Sequence, residues 1–146
     1  MATDQMLDKI QAQLIRHEGL RLKPYVCTAG KLTIGVGRNL TDSGISKDEA
    51  MIMLRSDIAD AVSDLMTLFD DFSDLPEKVQ RVLIDMRFNL GPFGFRGFRR
   101  LMACIENRNF WQAAEEMKDS RWFNQVGSRG KTLYKMMREA ATGDFE

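Results

Sequence analysis

Hydrophobic positions along the chain change their period several times, and each change marks an element. Leu7, Ile10, Leu14 and Ile15 fall on one stripe of a helix over Asp4 to Arg16, with Glu18 at its C-terminal end. Over residues 20–41 the period shortens. Lys31-Leu32-Thr33-Ile34-Gly35-Val36-Gly37 alternates, the turn Thr28-Ala29-Gly30 precedes it, and Pro24 resists helix continuation, so a small antiparallel sheet is expected. Ser46-Lys47-Asp48-Glu49 reads as a capping box opening the run Ala50, Met53, Leu54, Ile58, Ala61, Val62, Leu65, which carries a long helix to about Phe69 and bridges two lobes. After a loop over residues 70–75, Asp74 and Glu77 stand in capping-box relation with Pro76 between them. Val79, Val82, Leu83, Met86, Phe88 and Leu90 are apolar on more than one face, which predicts a buried central helix ended by Gly91-Pro92. Shorter helices fit residues 98–106, 109–118 and 129–141.

A length of 146 residues with 44% hydrophobic content suffices for one unit in two lobes without disulfide or metal staples. The boundaries that follow are lobe 1 at about 14–55, the linking helix at about 46–69, and a helical lobe at about 74–142 on which the first helix packs. Asp4, Asp8 and Lys9 interrupt the first fourteen residues, so a signal-peptide run, a membrane span and a stable membrane anchor are not expected. Cys27 and Cys104 show no C-x-x-C spacing and His17 is the lone histidine, which argues for free thiols, no metal and no cofactor.

The zero net charge conceals an asymmetry. Residues 1–41 carry +3, residues 42–86 carry −7, residues 87–138 carry +7 and residues 139–146 carry −3. The basic segments could face an anionic polymer; solvated helix faces with i,i+4 pairs are the plainer reading, and composition alone favours it. No base-reading motif accompanies them, and nucleic acid is not an expected partner.

The candidate chemistry lies between Leu14 and Leu40, where Glu18, Cys27 and Thr33 stand in an E-x8-C-x5-T spacing. An acid at the end of an amphipathic helix, facing a Gly-rich turn of β-prone residues, suits general-acid work; a solvated helix-end carboxylate is the plain alternative. The surrounding residues carry a family resemblance. Glu18, Gly19, Arg21, Tyr25, Gly30, Thr33, Ile34, Gly35 and Gly37 follow the signature E-G-x-R-x-x-x-Y-x-D-x-x-G-x-x-T-I-G-x-G. The stretch Leu83 to Gly91, the pair Gly97-Phe98, and Ser120 to Gln125 with Arg129 recur in order. From about Leu14 to Arg138 the chain thus resembles the phage-type lysozymes, the endolysin muramidase family that includes the lysozyme of the T-even coliphages. The segment between Leu40 and Ser46 is shorter than the family's.

The resemblance implies an α+β lysozyme-like fold: a small N-terminal lobe with a short sheet, a long connecting helix, and an all-helical C-terminal lobe, with a polysaccharide cleft between lobes. It implies hydrolysis of the β-1,4 bond between N-acetylmuramic acid and N-acetylglucosamine in peptidoglycan. The enzyme would be a monomer made in the host cytoplasm, reaching the cell wall or periplasm through a holin-type pore. Glu18 matches the general acid, whose proton partial burial in the cleft would retain. Cys27 occupies the position where the family commonly has Asp. A thiol is mostly neutral at pH 7, so it acts as a base for water, as a nucleophile, or as a small space-filling bystander. Thr33 matches a water-positioning residue and is equally a good strand former.

By the same correspondence Arg129 matches a basic residue that pairs with the acid, and Arg38 with Asp57 match a stabilising ion pair. Phe88 and Asn89 match the substrate side of the central helix. Leu101 and Glu116 replace small polar residues at substrate-contact positions, and Trp122, Phe123 and Asn124 read as structural. The missing Asp leaves two further readings open: a lytic transglycosylase, in which one Glu suffices, and a lysozyme-like binding module with a decayed site.

Overall fold

Thr3 opens the first helix, α1 (Asp4–Glu18), its hydroxyl accepting the Met6 N–H at 3.2 Å. Asp4 in the first turn and Arg16 and His17 in the last complement the helix dipole. The helix stops at Gly19, whose φ of 78° and ψ of 166° leave the helical region while its N–H still reaches the Ile15 carbonyl at 2.8 Å. No residue of α1 is buried; its apolar stripe, Leu7 and Leu14 included, stands largely in water. The computed structural model describes residues 3–143, and the chain divides into two units, Met1–Ile52 and Met53–Glu146.

The rest of the first unit is the expected antiparallel sheet, β1 (Arg21–Val26), β2 (Leu32–Gly35) and β3 (Arg38–Asn39), in the order β1-β2-β3. Tyr25 pairs with Thr33 and Val26 with Leu32, and a bulge lies between Arg21 and Tyr25. Pro24 sits inside that irregular stretch of an outer strand, where its missing N–H breaks no ladder bond on a central strand. Thr33, on the middle strand, is the one buried residue among those described in this unit.

The capping box forms as the sequence indicates. Glu49 donates its N–H to the Ser46 hydroxyl at 3.1 Å, and Ser46 donates its own to Glu49 Oε1 at 2.9 Å. The helix it opens, α2 (Lys47–Leu68), contains the division between the units.

The second unit buries a continuous apolar core from Leu65, Phe69 and Phe72 through Val79, Leu83, Met86 and Phe95 to Ile105, Met117, Trp122 and Met137. Each such side chain contributes about 1.5–3 kcal/mol by leaving water. Five helices supply most of it: α3 (Glu77–Arg96), α4 (Arg99–Glu106), α5 (Phe110–Lys118), α6 (Arg121–Val126) and α7 (Ser128–Ala141). The Asp74–Glu77 capping box does not form. Pro76 takes the N-cap position without a side-chain bond, Asp74 closes a short 3-10 turn (Phe72–Asp74), and Gln80 Nε2 satisfies the Ser73 and Leu75 carbonyls at 3.2 and 2.8 Å.

Gly91 breaks α3 with φ 77° and ψ 173°, and Pro92 restarts it, so the expected stop is a kink followed by one more turn. An ionic knot clamps that turn. Asp64 of α2 receives Arg87 Nε at 2.7 Å and both terminal nitrogens of Arg96, and Arg96 Nη1 also donates to the Pro92 carbonyl at 2.7 Å. The two guanidiniums, Arg96 foremost, hold the Asp64 carboxyl down at about 2 against the desolvation that opposes them. Trp122, Phe123 and Leu101 are structural: Trp122 stacks edge-on with Phe98 and Phe123 with Tyr134, each at 6.2 Å, and Leu101 is in the core.

Candidate functional site

Helix α1 and the small sheet bring the E-x8-C-x5-T residues into one unit. Glu18 is the last residue of α1, and the Gly19 reversal turns the chain at once into β1. Its carboxyl lies over Gly37 in the turn between β2 and β3: a methyl group built on Gly37 would come 2.9 Å from Oε2 and 3.3 Å from Cδ. Gly37 also has φ 70°, so the backbone favours glycine there, and a larger residue would push the Glu18 carboxyl aside. Glu18 is exposed, not partly buried.

Cys27 follows β1 at the start of the turn, half-buried, with its N–H on the Lys31 carbonyl at 2.9 Å and its carbonyl accepting the Gly30 N–H at 2.9 Å. The turn points backbone donors at the sulfur. The Lys31 N–H first, then that of Ala29, then the Thr33 hydroxyl hold the thiol below its ordinary value, with slight burial opposing. Thr33 is 4% exposed and its hydroxyl donates to the Lys31 carbonyl at 2.9 Å. That group has one proton, so it stabilises a thiolate only by turning from Lys31 towards Sγ. The first unit thus carries a carboxyl at a helix end, a thiol in the turn that follows β1 and a hydroxyl on β2. This set can give a proton and can take one.

Arg38 does not take the partner its correspondence implied. Its guanidinium is bidentate to Glu49, Nη1 to Oε1 at 2.8 Å and Nη2 to Oε2 at 2.7 Å. The Arg38 fork, helped by the Ser46 N–H, holds the Glu49 carboxyl down at about 2. The physical reason is local: the capping box already aims Glu49 back over the residues before α2, within reach of β3. Asp57 instead lines a small pocket with Asp60, Arg87 and Phe88 in the second unit.

Arg129, for its part, pairs with Asp85. Nε and Nη2 both reach Asp85 Oδ1, at 2.7 and 2.6 Å, because α7 packs along α3. Phe88 lies, 43% exposed, in an open apolar groove of about 430 Å³ with Leu54, Ile58, Ile84 and Met136. Asn89 is exposed, and its Oδ1 accepts Trp122 Nε1 at 2.9 Å, which fixes the amide and leaves its N–H groups for another acceptor. Glu116 accepts a 3.3 Å bond from Gln112. The capping box was the available signal for Glu49; a separation of 44 residues gave none for Asp85.

Cys27 and Cys104 are both free thiols; burial, with Glu116 nearby, pushes the Cys104 thiol up. Among the described residues no helix is long and apolar enough to cross a membrane.

Residues 15–141 match the model of the phage lysozyme family. The chain is similar to the probable T4-type lysozyme 2 of Dictyostelium discoideum, at 22% identity across 97% of this chain and 100% of that protein. It is 36% identical to the endolysin of Acyrthosiphon pisum secondary endosymbiont phage 1 across 55% of this chain and 56% of that one. Gp5, the pre-baseplate central spike protein of Enterobacteria phage T4, is 25% identical across 99% of this chain and 30% of its own.

Proposed function

Because this chain belongs to the phage lysozyme family, a family of glycoside hydrolase type acting on peptidoglycan, we propose that it hydrolyses the β-1,4 bond between N-acetylmuramic acid and N-acetylglucosamine. Glu18 protonates the leaving glycosidic oxygen as the C1–O bond breaks. Cys27, as thiolate, either takes a proton from the attacking water or forms the bond to C1 that water later breaks, and Thr33 orients that water. What supports the reading is that one unit carries all three groups, the Glu18 carboxyl over Gly37 and Cys27 in a turn whose donors lower its thiol, the Thr33 hydroxyl among them.

Glycan binding completes the acid. Sugar rings packed over an exposed carboxyl exclude water and favour its neutral form, which is the form that donates. The protein works as a monomer on the host cell wall, is made in the host cytoplasm, and crosses with the help of a holin-type pore. Host lysis is its role. The same placement is compatible with a lytic transglycosylase, in which the muramic 6-hydroxyl replaces water; the thiol standing where the family commonly has a carboxylate favours that second reading.

Product mass on purified sacculi tests the proposal. Hydrolysis adds one water and leaves reducing ends, whereas transglycosylation leaves 1,6-anhydro ends. Binding to sacculi without any release of soluble fragments points instead to a non-catalytic module. On the same substrate Cys27→Ala, Cys27→Ser and Cys27→Asp assign the thiol: loss in Ala with retention in Asp gives it a base or nucleophile role, and full activity in Ala removes it from the mechanism.

A further inference from the structure

Thr41 stands just past β3, outside the E-x8-C-x5-T set. β3 is two residues long, and its pairing with β2 ends where Thr33 faces Asn39. Beyond that end the loop takes over the bonding of Leu32: its carbonyl accepts the Leu40 N–H at 2.7 Å, and its N–H donates to the Thr41 hydroxyl oxygen at 2.8 Å. That N–H shares one rigid peptide plane with the Lys31 carbonyl. The carbonyl accepts the Cys27 N–H and the Thr33 hydroxyl, both at 2.9 Å, so both its lone pairs are in use. One plane therefore holds Cys27 and Thr33 at its oxygen and Thr41 at its nitrogen, and an amide whose N–H is donated is the stronger acceptor at its carbonyl. Thr41 is itself held in place. Asp42 donates its N–H to Asn39 Oδ1 and accepts from Asn39 Nδ2, each at 2.9 Å, the Gly44 N–H returns to the Leu40 carbonyl at 3.1 Å, and Lys31 Nζ reaches Asp42 Oδ1 at 3.3 Å.

We propose that Thr41 is a positioning residue for the Cys27–Thr33 pair, acting through the Lys31–Leu32 peptide; this rests on the reading given above that those two groups serve the reaction. Its hydroxyl fixes the plane, and the plane's oxygen fixes the Cys27 backbone and the direction of the Thr33 hydroxyl. With that proton held on Lys31, the Thr33 oxygen keeps its lone pairs for a water. The Lys31 N–H, foremost among the donors that lower the thiol, belongs to the residue so clamped, and a loosened plane moves that donor as well. Thr41 is exposed, so water can satisfy the Leu32 N–H when the hydroxyl is removed. Water has no fixed position there, and the loss falls on direction more than on the fold.

The test compares the full chain as wild type, Thr41→Val, Thr41→Ala and Thr41→Ser. Val keeps the shape and removes the acceptor, whereas Ser keeps the acceptor. The Cys27 thiol is followed by its rate of alkylation with iodoacetamide against pH, read on the Cys27 peptide by mass spectrometry so that Cys104 does not contribute, beside kcat and KM on purified sacculi and the melting temperature. In Thr41→Val and Thr41→Ala the alkylation midpoint is expected to move to higher pH and kcat to fall about three- to tenfold, the worth of one hydrogen bond, with KM unchanged; Thr41→Ser restores both. A lower melting temperature with midpoint and kcat as in wild type makes Thr41 a brace for the strand end and overturns the proposal. So does an unaltered midpoint in the folded Val and Ala variants, whatever kcat does. If Cys27→Ala keeps full activity, the thiol's part in the reaction fails, while the alkylation midpoint still decides whether Thr41 places Cys27.

Discussion

Among residues 3–52 only Thr33 is withdrawn from water, whereas from Leu65 to Ala140 apolar side chains interlock in one continuous core. The first unit keeps its shape by backbone geometry and polar bonds: the Gly19 reversal, the Cys27–Gly30 turn, the Ser46–Glu49 box and the Arg38–Glu49 fork. The second keeps its shape by burial, with charges added where helices must be tied, as at Asp64 and Asp85. The candidate catalytic groups all stand in the first. Groups that must meet a ligand cannot be sealed in a core, so they are set by turns whose φ values glycine permits. Precision in the first unit therefore depends on a few residues, and in the second it is spread over many.

That contrast can be broken, and the largest effect belongs to Glu18. Glu18→Gln should lower the rate of sacculus solubilisation by about 10²–10⁴-fold with an unchanged melting curve; retained clearing by the folded variant would refute the role. Leu83→Ala, in the second unit, should show the opposite profile, a loss of about 2–5 kcal/mol of stability with normal turnover below its transition, checked by denaturant unfolding beside activity at low temperature. Gly37→Ala joins both kinds of effect. The left-handed backbone costs about 1–2 kcal/mol, and the added methyl displaces the Glu18 carboxyl, so activity should fall further than stability. Equal losses would mean that the carboxyl's position is not critical.

Smaller effects sharpen the comparison. Arg38→Ala should lower the melting temperature modestly and spare activity in the cold, because an exposed ion pair is screened by solvent and salt. The same pair sets a pH dependence. Glu49 is held at about 2, below the ordinary value near 4.3, so its contribution is complete above about 4.3 and is lost as pH falls towards 2. Melting at pH 3 against pH 6 should therefore drop less for Arg38→Ala than for wild type. Asp64, also held at about 2, loses its contribution in the same acid window. Being the less exposed carboxylate, it should carry the larger share, so Asp64→Asn should flatten the drop in melting temperature between pH 6 and pH 3 more than Arg38→Ala does. Leu22→Ala, on a side chain already 84% exposed, should change stability by less than about 0.5 kcal/mol.

The chain's own pattern determined the element order. A helical stripe marked α1, apolar runs marked α2 and α3, glycine punctuation marked the shorter helices α4, α5 and α7, alternation with Pro24 and Gly30 marked the sheet, and the Ser46–Glu49 spacing marked the start of α2. These signals are local, with a few neighbouring residues carrying each one, and the E-x8-C-x5-T spacing was legible for the same reason. Partner choice was not. Arg38 binds Glu49 and Arg129 binds Asp85, neither of them a partner the sequence named, and Asp74 was assigned a cap that Pro76 took. A guanidinium accepts any carboxylate that packing brings within about 3 Å. Which one arrives depends on how distant segments pack, and no short stretch of residues records it. The exposure of Glu18 was decided in the same way, because burial belongs to the neighbours a residue acquires in three dimensions and not to the residue itself.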